Sequence, residues 1–265
     1  MPDIILGRKG GGGGAAAGVT SIAETGQPAL TGAVTLSEGT GVTLTQVGQD
    51  ISIAAAGGSD PVQELLGTPD TAFEFQSASL VGLTALTPTP DVENADTTVP
   101  DCYYLMDNAA GVSVCGRYVA APAPPYTAVT LVKDFNLNAV ENAAGLFYGD
   151  AVPGAFDMLG LQSSGRNIKG NSYTNPTTDG GVFLNTYSDI SAPVWFAFVV
   201  NTDNDVDFLF SMNGWVWRLL MDAVNPTPTP DVVGIAMKSQ AAGGCAAAFD
   251  YLRIWTSALA FPGVA

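Results

Sequence analysis

From about residue 71 onward the chain is a succession of short apolar runs spaced roughly ten residues apart. They read AFEFQ, CYYLM, VSVCGRYV, YTAVTLVKDF, GLFYG, AFDMLGLQ, GVFLNTY, VWFAFVVN, VDFLFSM, WVWRLLM, VVGIAMK and AAFDYLRIW, with Gly, Pro, Asn and Asp between them. Runs this short, rich in β-branched and aromatic residues and bounded by turn formers, predict about a dozen strands, the signature of a sandwich or jelly roll. The composition agrees. Of 265 residues, 47% are apolar and only 13% charged, with 31 Gly and 17 Pro, so there is material for a core and for many turns but little for long helices. The expected fold class is all-β.

The net charge is −16, from 25 acidic and 9 basic residues. It is uneven: between Lys9 and Arg117 there is no Lys or Arg, while twelve Asp or Glu fall in that gap. Such a field repels phosphate backbones and anionic lipid, so nucleic acid and membrane surfaces are excluded as expected partners. No stretch approaches about 18 apolar residues, so no membrane insertion is expected. The start, MPDIILGRKGGGGG, does not have the order of a signal peptide, and the expectation is assembly in a cytoplasm.

Three cysteines, Cys102, Cys115 and Cys245, are too few and too scattered for a disulfide framework. They are expected as buried thiols; Cys102 and Cys115 flank an expected hairpin and would be cross-strand neighbours if its turn centres between Asn108 and Ala109. The hexapeptide TPTPDV occurs at 87–92 and 227–232 and reads as two stiff rim loops, since the residue before each Pro is held extended.

The first seventy residues have a different texture. Residues 1–18 hold a short apolar and basic head followed by GGGGGAAAG, a spacer that can bury nothing. Residues 19–56 alternate apolar with hydroxyl side chains at period two, in AVTLS and GVTLTQVGQDISIAA, punctuated by Gly41 and Gly48. A sheet this small with an exposed apolar side is not stable alone, and copies from several chains could cover one another. Residues 57–70 read as a linker with one helical turn at PVQELL, and 71–265 as the main domain.

Two resemblances go further. The stretch LTGAVTLSEGTGVTLTQVGQDISI (residues 30–53) resembles the segment that recurs in bacteriophage tail and head fibre proteins. That resemblance implies a β-rich stalk, a homotrimer, and attachment of the N-terminal segment to a virion adaptor, tail or capsid protein. The runs WFAFVVNTDNDVDFLFSMNGWVW and AAFDYLRIWTSAL resemble the concanavalin A-like or laminin G-like jelly roll. The matching residues are Trp195, Asn213, Gly214, Asp250, Arg253, Ile254, Ala258 and Leu259. Asn213-Gly214 would supply the positive φ angles of a tight hairpin turn. Phe208 and Phe210 should share one strand face, and Asp207 and Leu209 the other. In the closing strand Phe249, Tyr251, Arg253 and Trp255 should share a face, with Asp250 and Arg253 orienting neighbouring loops.

Chemistry is sparse. Without His there is no Ser-His-Asp or Cys-His machinery and no His metal site. None of the six Glu has another four residues away, so the E-x-D-x-E strand of some concanavalin A-like glycosidases is missing. The expectation is therefore no enzyme, no catalytic residue, no cofactor and no metal. Asp203, Asp205 and Asp207 resemble an oxygen-rich calcium loop but lack its Gly and Glu, and they read as a solvated turn. Aromatics remain as ligand-binding candidates. Trp215 and Trp217 would lie on one face of a strand after the Asn-Gly turn, and Tyr173 sits in the most polar, loop-like stretch. The functional expectation is a virion fibre whose distal jelly roll attaches to a host-surface glycan, with a non-binding decoration protein and a capsule depolymerase as its rivals.

Overall fold

The computed structural model describes residues 60–264 apart from 76–79, 96–100, 110, 136–140, 152–153, 164–165, 188, 225–227, 241–243, 262–263 and the side chains of 223–224. Before residue 60 it describes only the backbone of five strands. The chain divides into two compact units, Met1–Ser59 and Asp60–Ala265.

In the first unit β1 (Ile4–Arg8), β2 (Val19–Glu24) and β3 (Leu30–Thr31) form an antiparallel sheet, and β4 (Val42–Val47) pairs with β5 (Asp50–Ala55). The head residues expected to attach to a virion are thus paired with β2, Ile4 opposite Glu24 and Leu6 opposite Ile22. The spacer and the AVTLS segment lie outside the described residues.

The second unit opens with a six-residue helix, α1 (Pro61–Leu66). Asp60 caps it, its Oδ1 accepting from the N–H groups of Val62 and Gln63, and Gly67 ends it at φ +80°. The helical turn expected at PVQELL is this helix, and it is packed rather than free. Val62 is fully buried, and Leu65 and Leu66 pack beside it on the sandwich.

Fifteen strands follow: β6 (Thr71–Glu74), β7 (Thr84–Ala85), β8 (Val92–Ala95), β9 (Tyr103–Asp107), β10 (Ser113–Ala120), β11 (Tyr126–Phe135), β12 (Ala143–Gly149), β13 (Phe156–Gln162), β14 (Asn167–Asn175), β15 (Thr178–Thr186), β16 (Val194–Val200), β17 (Val206–Ser211), β18 (Trp217–Val224), β19 (Val232–Ser239) and β20 (Cys245–Trp255). They make two antiparallel sheets. One has the order β15-β14-β13-β12-β19-β10-β7; the other has the order β18-β17-β16-β11-β20-β9-β8, with β6 also on β20. The chain passes between sheets at β6–β7, β7–β8, β9–β10, β10–β11, β11–β12, β15–β16, β18–β19 and β19–β20, a jelly-roll-like sandwich. Each of the twelve apolar runs overlaps a strand.

The β9–β10 crossing corrects one expectation. Cys102 precedes β9 and Cys115 lies in β10, so they belong to opposite sheets and are not hairpin neighbours. All three cysteines are buried and unbonded, and burial raises the pKa of each thiol. Both TPTPDV copies lead into strands, β8 and β19. In the first, Asp91 accepts from the backbone and side-chain N–H groups of Asn108.

The main core lies between the sheets, built on Tyr103, Tyr148, Phe196, Phe198, Phe208, Phe210, Phe249 and Ile235. Phe208 and Phe210 point into it and Leu209 away, as the alternation requires. β20 departs from simple alternation. Its register against β11 slips between Thr130 and Val132, where β20 carries an extra residue at Asp250–Tyr251, and returns between Val132 and Asp134. Such a bulge turns the following side chains over. Phe249 points into the core with Leu252 and Ile254, whereas Tyr251 and Trp255 point outward. Phe249 accordingly does not share a face with Tyr251, Arg253 and Trp255 as expected.

Outside the second sheet lies another apolar layer of Val129, Leu131, Trp217, Tyr251 and Trp255, covered by α1 and by Leu259 and Phe261. Arg253 ties this layer together. Its Nε and Nη2 donate to Glu74 at 2.5 and 3.0 Å, its Nη1 to Asp60 at 2.5 Å, and its guanidinium lies 3.8 Å from the Tyr251 ring centroid. With 6% of its side chain exposed and both carboxylates better hydrated, this forked contact fixes α1 and β6 on β20. Arg253 orients its neighbours as expected; Asp250 pairs with Lys133 at 3.4 Å.

The first sheet rolls on its outer face. Gly116, Ala236, Gly145 and Gly160 succeed one another across β10, β19, β12 and β13. A Cβ on Gly145 would come within 1.9 Å of the Leu159 carbonyl oxygen, and one on Gly116 within 2.1 Å of that of Ile235. Only strands free of side chains there can approach so closely. The roll brings the β14–β15 turn back over the sheet, so that the N–H of Val114 in β10 donates to the carbonyl of Pro176 at 2.8 Å and Lys238 pairs with Asp179 at 2.7 Å. Phe147, Phe156, Met158, Val114 and Tyr173 fill the enclosed space.

Gly145→Ala is expected to lose about 1–3 kcal/mol in denaturant unfolding, because backbone must move on both sides of the new methyl. Gly111→Ala, where no atom lies within 4 Å of the new Cβ, should change stability by less than about 0.5 kcal/mol. Equal effects would show that the glycine row does not set the curvature.

Candidate functional site

Four of the six large exposed apolar side chains among the described residues gather at one rim of the sandwich: Tyr187, Met212, Trp215 and Val216 are 38–59% exposed, while Val81 and Val182 lie apart from them. Of the four, all but Tyr187 come from the five-residue loop 212–216 between β17 and β18. Two side chains organise its backbone. The Ser211 Oγ accepts from the N–H groups of Asn213 and Gly214 and donates to the Val216 carbonyl at 2.7 Å. The Asn213 Oδ1 accepts from the N–H groups of Trp215 and Val216, both at 2.9 Å. Only Gly214 has a positive φ in this loop, +75°, so the expected two-residue turn with both angles positive is replaced by a wider, side-chain-bonded loop. A Cβ on Gly214 would come within 2.5 Å of Pro61 and 3.3 Å of Trp195, so the loop rests directly on the outer aromatic layer.

Tyr187 belongs to the β15–β16 connection. It has φ +53°, and Asp189 has φ +62°, a region that bulky residues rarely occupy. The connection is fixed by backbone bonds from Ile168 N–H to the Tyr187 carbonyl and from Ile190 N–H to the Arg166 carbonyl. The Tyr187 ring packs 4.9 Å from that of Phe210. Arg218 of β18 pairs across strands with Phe210 and therefore shares its face. Its guanidinium lies 5.7 Å from the Tyr187 ring centroid, within cation–π range. Tyr187, Ile190, Phe210, Met212, Val216 and Arg218 are among the residues that line a cleft of about 410 Å³. It offers an aromatic wall, an apolar floor, one guanidinium and the Asn213 amide edge, the kind of surface that holds a sugar ring by stacking and orients it by a few polar contacts.

The three aromatics singled out from the sequence separate sharply. Trp215 is 42% exposed on the loop that supplies three residues of the cleft. Trp217, 1% exposed, points to the outer layer, stacks near Phe261 and donates its Nε1 N–H to the Gly214 carbonyl at 3.0 Å. The pair does not share a strand face, because β18 begins only at Trp217. Tyr173 is 1% exposed inside the rolled sheet, its ring stacked on Phe156 at 4.6 Å. Its stretch is the strand β14, not a loop; the polar residues that disguised it are accommodated by the hairpin with β15. Tyr187 and Arg218 were missed. A usable signal existed for Arg218, an isolated cation within the apolar run WVWRLLM of an acid-rich chain.

The acidic turn after β16 is a hairpin. Asn204 takes φ +70°, and the Asn201 N–H donates to the Asp205 carbonyl at 2.8 Å. The Asn201 amide also donates to Asp207 at 3.4 Å. Among the described residues no group of three or more His, Cys, Asp or Glu side chains is placed to hold a metal ion. Asp207 instead lines a second cleft of about 410 Å³, with Asp222, Asn201, Leu219 and Phe261, on the outer face of the second sheet.

No known protein family matches the chain by sequence, and no curated protein does. Solved structures do resemble it. A mutant of the GH43 protein BlXynB from Bacillus licheniformis is similar at 17% identity and a TM-score of 0.54, over 70% of this chain and 39% of that one. The GH43B protein of the Bacteroides ovatus xyloglucan PUL is similar at 17% identity and 0.51, over 71% and 39%. Cellulose induced protein, Cip1, is similar at 12% identity and 0.51, over 71% of this chain and 97% of its own. This chain thus spans about two fifths of the GH43 proteins it matches. At these identities the likeness is one of fold, a jelly-roll-like all-β sandwich. It nevertheless corrects the expectation that the chain is not an enzyme. That expectation rested on a missing E-x-D-x-E strand, and the same sandwich occurs in glycoside hydrolases of family GH43.

The burial difference between the two tryptophans has a direct consequence. Trp217→Ala is expected to cost about 3–5 kcal/mol in urea unfolding, and Trp215→Ala less than about 1 kcal/mol. Comparable losses would place Trp215 in the core.

Proposed function

We propose that this protein is a carbohydrate-binding fibre protein: a jelly roll that holds glycan in the Tyr187–Arg218 cleft, carried by residues 19–56 as a β-rich stalk. The observation that carries the binding part is the clustering, beside a cleft, of the exposed Tyr187 with Met212, Trp215 and Val216 of a loop already locked by Ser211 and Asn213. A soluble domain leaves such a patch open when something covers it in use. The likeness in fold to Cip1 and to GH43 proteins supports a saccharide as that ligand. The stalk reading rests on the fibre-like sequence of residues 30–53 and on the period-two pattern, whose apolar side needs sister chains. A trimer in a virion, fixed to its tail or capsid through the N-terminal segment and meeting a host-surface glycan, fits that pattern.

A second reading, hydrolysis of the bound glycan, is favoured by the cleft that brings Asp207 and Asp222 together, since glycoside hydrolysis needs a pair of carboxyl groups.

One experiment addresses both. The full chain is incubated with immobilised host-surface and plant glycans, and retention and released reducing ends are measured beside Tyr187→Ala and Asp222→Asn. Retention should fall about tenfold for Tyr187→Ala, a loss in the range of a removed stacking aromatic, while the far-UV circular dichroism stays that of the parent. Retention that ignores Tyr187 would overturn the binding reading. Reducing ends released by the parent and lost in Asp222→Asn would establish the second reading, and none from the parent would remove it. By light scattering, deletion of residues 19–56 should turn a trimer into a monomer; an unchanged mass would sink the stalk.

A further inference from the structure

The cleft holds a cation in a protein that has few. Among the described residues Arg117, Lys133, Lys238 and Arg253 are each engaged by a carboxylate, whereas Arg166, Lys169 and Arg218 are not. Of these three, Arg218 lines the cleft. It is exposed, and its described contact is the face of Tyr187. In a chain with 25 acidic and 9 basic residues, a guanidinium with no carboxylate in ion-pair range, at the wall of an apolar cleft, is a vacancy of charge. Guanidinium is weakly hydrated and planar, so it binds a carboxylate in a fork while still stacking on an aromatic ring. Its strand position holds it in place, because it is set opposite Phe210, whose ring is 2% exposed and packed in the core.

Resting on the glycan-binding reading, we propose that the Tyr187–Arg218 cleft selects a saccharide bearing a single acidic sugar, whose carboxylate pairs with Arg218 while its ring lies against Tyr187 and the 212–216 loop. A polyanion is disfavoured, because the net charge of −16 repels every further acidic group at long range. The ligand class is therefore a uronate- or sialate-terminated oligosaccharide, with one charge at the cleft and neutral residues beyond it.

The test compares matched ligands that differ only in that charge. Cellobiouronic acid and its methyl ester, and sialyllactose and its methyl ester, are titrated calorimetrically into the full chain and into Arg218→Gln. The substitution leaves the chain's folded core untouched, because Arg218 lies at the exposed rim. For at least one pair, the acid should bind about tenfold or more tighter than the ester, the range of a charge-assisted hydrogen bond. Arg218→Gln should abolish the difference, so that acid and ester bind that variant equally. Equal affinities of acid and ester in both pairs, or a preference that survives Arg218→Gln, would overturn the selectivity while leaving glycan binding standing. No binding of any of the four, together with no retention on the immobilised glycans, would overturn both.

Discussion

One extra residue in β20 governs how the sandwich is dressed on its outer side. Between Phe249 and Leu252 the strand gains a residue relative to β11, and every side chain beyond it changes face. Upstream of that point β20 pairs with β9; downstream it pairs with β6, and the N–H of Phe75 donates to the Asp250 carbonyl where the two partners meet. The reversal sends Tyr251, Arg253 and Trp255 outward. Tyr251 then accepts the Trp195 Nε1 N–H at 3.0 Å, Trp255 donates to the Gly67 carbonyl at 3.3 Å, and Arg253 clamps Asp60 and Glu74. Pro61 and Trp195, positioned in this way, are the surfaces against which Gly214 fits without a side chain. The loop that presents Trp215 thus takes its place from a register slip in β20, three strands away from β17 in the sheet.

The two sheets use their outer faces in opposite ways, and this decides where a ligand has room. The second sheet is covered by α1 and the residues after β20. The first is covered by itself, because the glycine row lets it roll until the β14–β15 turn reaches β10. Phe156 and Tyr173 then stack in its interior, and Lys238, 2% exposed, is neutralised by Asp179. Filling that roll leaves the first sheet no open aromatic face. Among the described residues the exposed large apolar side chains other than Val81 and Val182 sit at the rim, where the β15–β16 connection and the β17–β18 loop face one another across Arg218.

Much of this architecture was legible because strand identity is a local property. Alternation, β-branched content and turn residues mark YTAVTLVKDF or VWFAFVVN without knowledge of their partners. What was hidden depends on partners. Strand β14 reads as a loop because polar residues such as Asn167 and Asn175 find their partners, Asn185 and Thr177, only in the hairpin with β15. The face of Phe249 was misassigned because a bulge is a two-strand feature with no signature in either strand alone. Cys102 and Cys115 looked like hairpin neighbours because proximity in sequence says nothing of which sheet receives the next strand. The same limit applies to the site. Tyr173, Trp215 and Trp217 are equivalent as aromatics near polar residues, and only the third dimension separates one exposed ring from two core rings. Arg218 is informative in the sequence for a different reason: an unneutralised cation in an apolar run of an acid-rich chain needs an explanation at the level of charge alone.

A rim site of this kind has energetic consequences. Ser211 and Asn213 already hold the 212–216 loop, so little ordering is lost when a ligand arrives, and the contacts made count nearly in full. Yet the cleft is open, its aromatic surfaces remain partly hydrated, and the exposed Arg218 shares its field with water, which limits what a single contact contributes. The balance favours modest affinity with sharp discrimination: stacking tolerates many sugar rings, whereas an unpaired guanidinium distinguishes an acid from its neutral counterpart. Modest single-site affinity is sufficient where several copies engage one surface, since each binding event after the first proceeds at high effective concentration. On the proposed reading, selectivity set by Arg218 and avidity set by the number of copies would be separate variables, one belonging to the rim of the jelly roll and the other to a stalk formed by residues 19–56.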